Sequence, residues 1–264
     1  MDLWCSCLGR HYASSARNLQ VGALDFDRFC RLTSTVLVFD SMGLFKRTGR
    51  ALSAKLTRLT LDRFIAAHAS GRRTLDIGAQ NGPYATHFPR RISLDIKRGI
   101  GVQIIGDAQA LGIRDASFDV VLCTEVLEHL PEPQRAIDEI FRVLAPGGQL
   151  LLTTRFLFPI HDAPHDYFRF TKYGLRHLLR RFDIVELQEE TDSVGTLAVL
   201  LQRLGMQAET LHRQPFRGFW LLSAQIVRPF SFLITGEYGD SRRLQRERGI
   251  MTSGYHVACR KPAA

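Results

Sequence analysis

From Arg73 to Val194 the chain alternates short apolar runs with stretches whose apolar residues recur every three to four positions. That alternation is the signature of parallel βαβ units. The runs predict strands over Thr74–Ile77, Ile92–Asp95, Val102–Ile105, Phe118–Cys123, Gln149–Thr153 and Ile184–Leu187, with a final strand over Tyr255–Arg260 after a long detour. A helix over Gln134–Leu144 places Ile137, Ile140, Phe141 and Leu144 at core-facing spacing, and Pro146-Gly147-Gly148 is expected to stop it and turn the chain into the next strand. Thr171 is placed to cap a helix over Lys172–Arg181, whose Leu175, Leu178 and Leu179 form one stripe.

Two segments stand outside this alternation. Leu52, Leu56, Leu59 and Ile65 fall on roughly one face of a helix over Ala51–Ala67. Leu197, Leu200, Leu201 and Leu204 do the same over Thr196–Leu204, ahead of a greasy segment over Phe216–Ile234. The pattern predicts an α/β domain over 71–264, with a helical N-terminal extension over 1–70 and a helical insertion over 195–250. There is no internal repeat and no low-complexity tract.

Composition changes this picture little: 45% hydrophobic and 23% charged residues in 264, with 17 Phe, are ordinary for a globular chain and exclude disorder throughout. The greasy stretch from Gly218 to Thr235 is broken by Gln225, Arg228 and Pro229, so a membrane-spanning helix is not expected. Cysteines at 5, 7, 30, 123 and 259 form neither a disulfide framework nor paired zinc knuckles, and the first residues lack a secretory pattern. A reducing, cytoplasmic compartment is the expectation. Charge matters more. The net +9 divides into +5 over residues 1–70, −2 over 71–194, +4 over 195–250 and +2 over the last fourteen. Basic flanks around a slightly acidic centre suit an anionic surface or substrate, or simply a solvated arginine-rich face.

The chemistry starts at Leu75-Asp76-Ile77-Gly78-Ala79-Gln80-Asn81-Gly82, a strand running into a loop with two glycines. Glycines at such a strand end let the backbone turn tightly and approach a ligand. The spacing is neither the dinucleotide fingerprint nor a phosphate-binding loop. Further elements follow in order: Asp95 at the end of the second strand, Gly106-Asp107-Ala108 after the third, Ala116-Ser117-Phe118-Asp119-Val120-Val121 opening the fourth, Glu125-Val126-Leu127-Glu128-His129-Leu130 after it, and Leu144-Ala145-Pro146-Gly147-Gly148 before the fifth.

This series resembles the class I S-adenosylmethionine-dependent methyltransferases, with Gln80 at the position of that family's middle glycine. The resemblance implies a Rossmann-like, doubly wound, seven-stranded sheet with an antiparallel last strand. It implies cofactor contacts from Asp76, Gly78, Gln80, Gly82, Asp95 (ribose), Asp107 and Ala108 (adenine), and Glu125, with S-adenosyl-L-methionine as the cofactor. The amine-methylating string Asn/Asp-Pro-Pro-Tyr/Phe is absent, since that position reads Cys123-Thr124-Glu125-Val126; nucleic acid is therefore disfavoured as a substrate.

After the fifth strand, His161-Asp162, His165-Asp166-Tyr167 and Arg169 lie within nine residues. The string resembles one in a methyltransferase subgroup found with cell-surface glycan biosynthesis. That implies O-methylation of a glycan or lipid-linked sugar. The apolar residues of 215–235, with Arg217 and Arg228, suit either peripheral membrane contact, which would fit a lipid-linked acceptor, or core packing against the sheet. His161 and His165 are the candidate bases, because histidine titrates near neutrality. His129, Asp166, Tyr167 and Arg169 are candidate substrate contacts, with an Asp166–Arg169 pair locking the loop as the plainer alternative. Glu125 and His129 are expected on one helical face. Adjacent polar pairs on loops are common, so no metal is expected. An RNA methyltransferase using the basic flanks, or a non-catalytic cofactor-binding protein, remain the rival readings; the oligomeric state is not legible.

Overall fold

A computed structural model describes residues 55–80, 84–207 and 214–263. Seven strands form one sheet: β1 (Thr74–Ile77), β2 (Arg91–Asp95), β3 (Ile104–Ile105), β4 (Phe118–Thr124), β5 (Leu144–Arg155), β6 (Asp183–Glu189) and β7 (Gly254–Arg260). Their order is β3-β2-β1-β4-β5-β7-β6. β1 to β5 pair in parallel, while β7 runs antiparallel to both β5 and β6, as expected. Strand order reverses between β1 and β4, and the crevice at the carboxyl ends of those strands is where doubly wound sheets bind ligands.

The strands separate their side chains by the two-residue period of the pleat. Val121 and Cys123 of β4, Leu150 and Leu152 of β5, and Val257 and Cys259 of β7 enter one core with Ala136, Ile137, Ile140 and Val143 of helix α2 (Pro133–Val143) and Leu175 of α3 (Lys172–Leu178). Val120, Leu122, Leu151 and Ala258 point the other way, onto Leu61, Phe64 and Ile65 of α1 (Leu56–Ala67). Both faces are thus covered. At roughly 1.5–3 kcal/mol per fully buried large side chain, this double burial is what holds the strand ends in place.

Several elements differ from the sequence pattern. β3 keeps only two of four expected residues. Ahead of it Ser93 N donates to the Gln103 side chain at 3.0 Å, while Gln103 N is shared between Ser93 O and Ser93 Oγ, both at 3.1 Å, so side chains partly replace the ladder. β5 starts five residues earlier than predicted. Pro146-Gly147-Gly148 is a bulge within the strand and not a turn before it, clamped by Gly147 N to Lys261 O (3.0 Å) and Lys261 N to Gly148 O (2.8 Å). α3 ends at Leu178, three residues early, with Thr171 Oγ1 accepting from Gly174 N as the predicted cap. Beyond Gly82, the described residues 84–90 hold a hydrogen-bonded turn at Tyr84–His87 and no helix.

Of the N-terminal extension, α1 is the described part. Within 195–250 lie most of α4 (Ser193–Gln207) and all of α5 (Gln214–Val227), followed by a 3-10 segment at Arg228–Leu233. Residues 234–250 carry no helix, so the insertion is helical only in its first part. No described helix is long and apolar enough to cross a membrane.

Candidate active site

Gly78 leaves β1 with φ +74°, and its N–H donates to Leu94 O at 2.9 Å, which ties the loop to β2. A Cβ on Gly78 would collide with Val126 Cγ2, so the turn after β4 presses directly on this loop. Gln80 is exposed; Gly82 lies outside the described residues. Asp76, in β1, is buried and paired to Arg91 at 2.6 Å. Burial still lifts its pKa to about 6, outweighing the guanidinium.

Two carboxylates mark the next strand ends. Asp95 is buried; its Oδ1 accepts from Lys97 N at 3.0 Å, and its Oδ2 makes no hydrogen bond among the described residues. Asp107 is half-buried, accepts from Gln109 N at 2.8 Å, and precedes the buried Ala108. A loop closing on itself beside the Asp95 carboxylate fits a polar ligand with hydroxyl donors.

At the exit of β4, Glu125 takes a left-handed φ of 57°, and Leu127–His129 form a single 3-10 turn. Glu125 and His129 therefore do not share a helical face, contrary to expectation. Glu125 instead accepts from Thr153 Oγ1 at 2.9 Å and makes an ion pair with Arg155. Arg155 is buried at the end of β5, pairs with the buried Glu190 at 2.6 Å, and lies over the Phe158 ring at 4.5 Å. Glu190 accepts from Ser253 Oγ at 2.6 Å and faces His256 at 3.6 Å. One arginine thus joins the ends of β4, β5 and β6.

Glu128 is the hub. It is fully buried, accepts from Thr154 Oγ1 at 2.8 Å through Oε2, and leaves Oε1 without a partner. Burial, with the charge of Glu125 beside it, pushes its pKa up to about 8. Its carbonyl accepts from the backbone of Tyr167 (2.9 Å) and Phe168 (3.2 Å), which fastens the loop after β5 over it.

Within that loop Asp166 accepts from Arg169 Nη1 (2.6 Å) and Nη2 (2.7 Å) and from His161 N (2.8 Å), and the guanidinium holds its pKa down at about 2. Arg169 also reaches the carbonyls of Phe158 and Pro159. The locking pair is therefore formed, and both side chains are engaged within the loop. His161 is partly buried, 3.4 Å from Asp166 Oδ2 and 4.0 Å from Glu128 Oε1. Burial, then the neighbouring His129, lowers its pKa. His165 and Tyr167 are exposed and joined by a 3.1 Å hydrogen bond, and His129 Nδ1 donates to the His165 carbonyl at 2.6 Å.

The structure thus brings Glu125, His129, His161, His165, Asp166, Tyr167 and Arg169 around Glu128. Asp95, Asp107 and Ala108 stand at the β2 and β3 ends. Arg155, Glu190 and His256 escaped the sequence reading, because nothing in their local strings shows that three strand ends converge. Glu128 carried a local signal, an acid set between Leu127 and His129 in the turn after β4.

Residues 75–152 match a family model described as a methyltransferase domain. A "Ubiquinone biosynthesis O-methyltransferase" of Psychrobacter cryohalolentis is 42% identical over 66 residues, 25% of this chain and 23% of that protein. A "Demethylmenaquinone methyltransferase" of Renibacterium salmoninarum is 36% identical over 96 residues, 31% of this chain and 40% of that protein. The chain thus spans less than half the length of either relative. Among solved structures, a Burkholderia thailandensis 1,6-didemethyltoxoflavin-N1-methyltransferase, with that compound and S-adenosylhomocysteine bound, has a TM-score of 0.47 at 15% identity over 93% of both chains.

Proposed function

We propose that this protein is an S-adenosylmethionine-dependent methyltransferase that methylates a hydroxyl oxygen of an acceptor. The observation that carries this reading is the methyltransferase-domain match over 75–152, which runs from β1 into β5 and so takes in the carboxyl ends of β1 to β4. In this reading Gly78, Gln80 and Gly82 hold the amino-acid end of the cofactor, Asp95 its ribose, and Asp107 with Ala108 its adenine. Asp76 and Glu125, already paired to Arg91 and Arg155, position the loop and the crevice wall. The bound sulfonium supplies an activated methyl group with a good leaving group. The protein's own work is alignment and exclusion of water. A hydroxyl must also lose its proton, which falls to His161 or His165. His129, Asp166, Tyr167 and Arg169 shape the acceptor side.

The acceptor we infer is lipid-soluble. A lipid-linked sugar accords with the glycan-subgroup resemblance, and a quinone-ring precursor with the names of the relatives. α4 reaches the loop that bears His161: Gln207 Nε2 donates to Ile160 O at 3.2 Å, and Arg203 lies over Phe158 at 4.3 Å. α5 buries Leu221 and Ala224 but exposes Phe219, Leu222 and Ile226, and the 3-10 segment exposes Phe230, Phe232 and Leu233. An apolar strip flanked by Arg217 and Arg228 suits delivery from an anionic bilayer.

Calorimetric titration with S-adenosylmethionine and S-adenosylhomocysteine tests the reading. Micromolar binding, weakened at least about tenfold by Asp95→Ala (about 1.4 kcal/mol), is expected. Labelled-methyl transfer to a lipid-linked sugar and to a polyprenylated catechol then separates the acceptors. A folded protein that binds neither cofactor form overturns the reading, and binding with no transfer to any extract favours the non-catalytic rival.

A further inference from the structure

We propose that Glu128, His129 and His161 form a binding site for one divalent first-row cation of zinc-like character, contrary to the absence of a metal expected from the sequence. The three side chains come from two elements, the 3-10 turn after β4 and the loop after β5. One donor atom from each lies within 4.8 Å of the other two. Bonds of about 2.0–2.2 Å to a central ion need only a modest closure of the two partly exposed rings.

Two observations point to a ligand at this spot. Glu128 is fully buried, yet its Oε1 has no hydrogen-bond partner and stands 4.0 Å from His161 Nε2. A buried carboxyl oxygen without a hydrogen-bond partner is costly unless something occupies the space before it. His129 Nδ1, moreover, donates to the His165 carbonyl at 2.6 Å, while the buried His161 Nδ1 lies 3.4 Å from Asp166 Oδ2 without forming a hydrogen bond. A carbonyl behind the ring, as at His129, is how metal-binding imidazoles are oriented, with Nε2 left to the ion.

The donor set names the class of ion. Two imidazoles with one carboxylate suit zinc, iron(II), cobalt or nickel, whereas magnesium and calcium demand oxygen donors. Three protein donors also leave a position open. Under the methyl-transfer reading, on which this sentence alone rests, that position would take the acceptor hydroxyl, and His161 would serve as a ligand, leaving His165 as the proton acceptor.

The test uses the full chain carrying Cys5→Ser, Cys7→Ser and Cys30→Ser, so that those thiols cannot compete. It is stripped with chelator and titrated without S-adenosylmethionine, so that the metal site and the methyl-transfer reading fail independently. We expect one equivalent of zinc by calorimetry and a cobalt(II) visible spectrum that zinc displaces. Glu128→Gln, His129→Ala and His161→Ala should each weaken zinc binding at least about tenfold. The proposal is overturned if the folded parent binds no stoichiometric zinc, as a protonated Glu128 facing an empty space would predict. It is overturned equally if the variants keep the parent's affinity. Should Glu128→Gln fail to fold, the two partly exposed histidines decide.

Discussion

Gly78 meets two separate demands, a positive φ and the absence of a Cβ where Val126 presses in. Gly78→Ala should therefore lower stability by about 1–3 kcal/mol, the usual size of local backbone strain. Val126→Ala removes the steric part and leaves the conformational part. In a denaturation cycle the double variant should be more stable than the sum of the singles by at least about 0.5 kcal/mol. Strict additivity would mean that Val126 does not confine the glycine. At this scale the sequence was partly legible. The Asp166–Arg169 lock could be read because both partners sit three apart on one loop. The loneliness of Glu128 Oε1 could not, since it depends on Thr154 and His161, which the fold brings in from 26 and 33 positions away along the chain.

Strands are held at their entrances as well as their exits. Where β1 and β4 begin, Asp119 accepts from Arg73 N and Nε, both at 3.2 Å, and Arg72 lies 3.5 Å away. The Arg73 hydrogen bond, chiefly, holds the Asp119 pKa below its ordinary 3.8. A depressed carboxylate stabilises the fold above its unfolded pKa, and that contribution is lost as pH falls through the folded value. Asp119→Asn should accordingly cost about 0.5–1 kcal/mol at pH 7, in the range of partly exposed pairs. The gap in melting temperature between variant and parent should close as the pH is lowered from 5 towards 3. A gap independent of pH would assign the effect to hydrogen bonding alone. Element types were readable from periodicity because burial on both faces demands apolar strands. Boundaries failed where long-range partners decide them. Lys261 extends β5 backwards through its clamp on Gly147 and Gly148, and the exchange between Gln103 and Ser93 trims β3.

For the molecule as a whole, the strip over Phe230, Phe232 and Leu233 sets a prediction that depends on the full chain and its basic flanks. The protein should float with vesicles rich in anionic phospholipid and much less with zwitterionic ones. Phe232→Asp with Leu233→Asp should cut partitioning by about tenfold or more. Equal flotation of the variant would place the membrane contact elsewhere or nowhere. Seven strands with an antiparallel last one were expected from the resemblance, but the strand order was not; nor was the manner in which the insertion divides its apolar residues, because helical spacing alone does not say which stripe meets a neighbour. That order has a consequence for how the protein is made. β6 finds its ladder partner, among the described residues, only in β7, and β7 is synthesised after α4 and α5. As the chain emerges from the ribosome, one edge of β5 and the whole of β6 therefore wait with open backbone groups for a partner not yet translated. Through that interval the nascent chain carries an edge to which any passing strand can add.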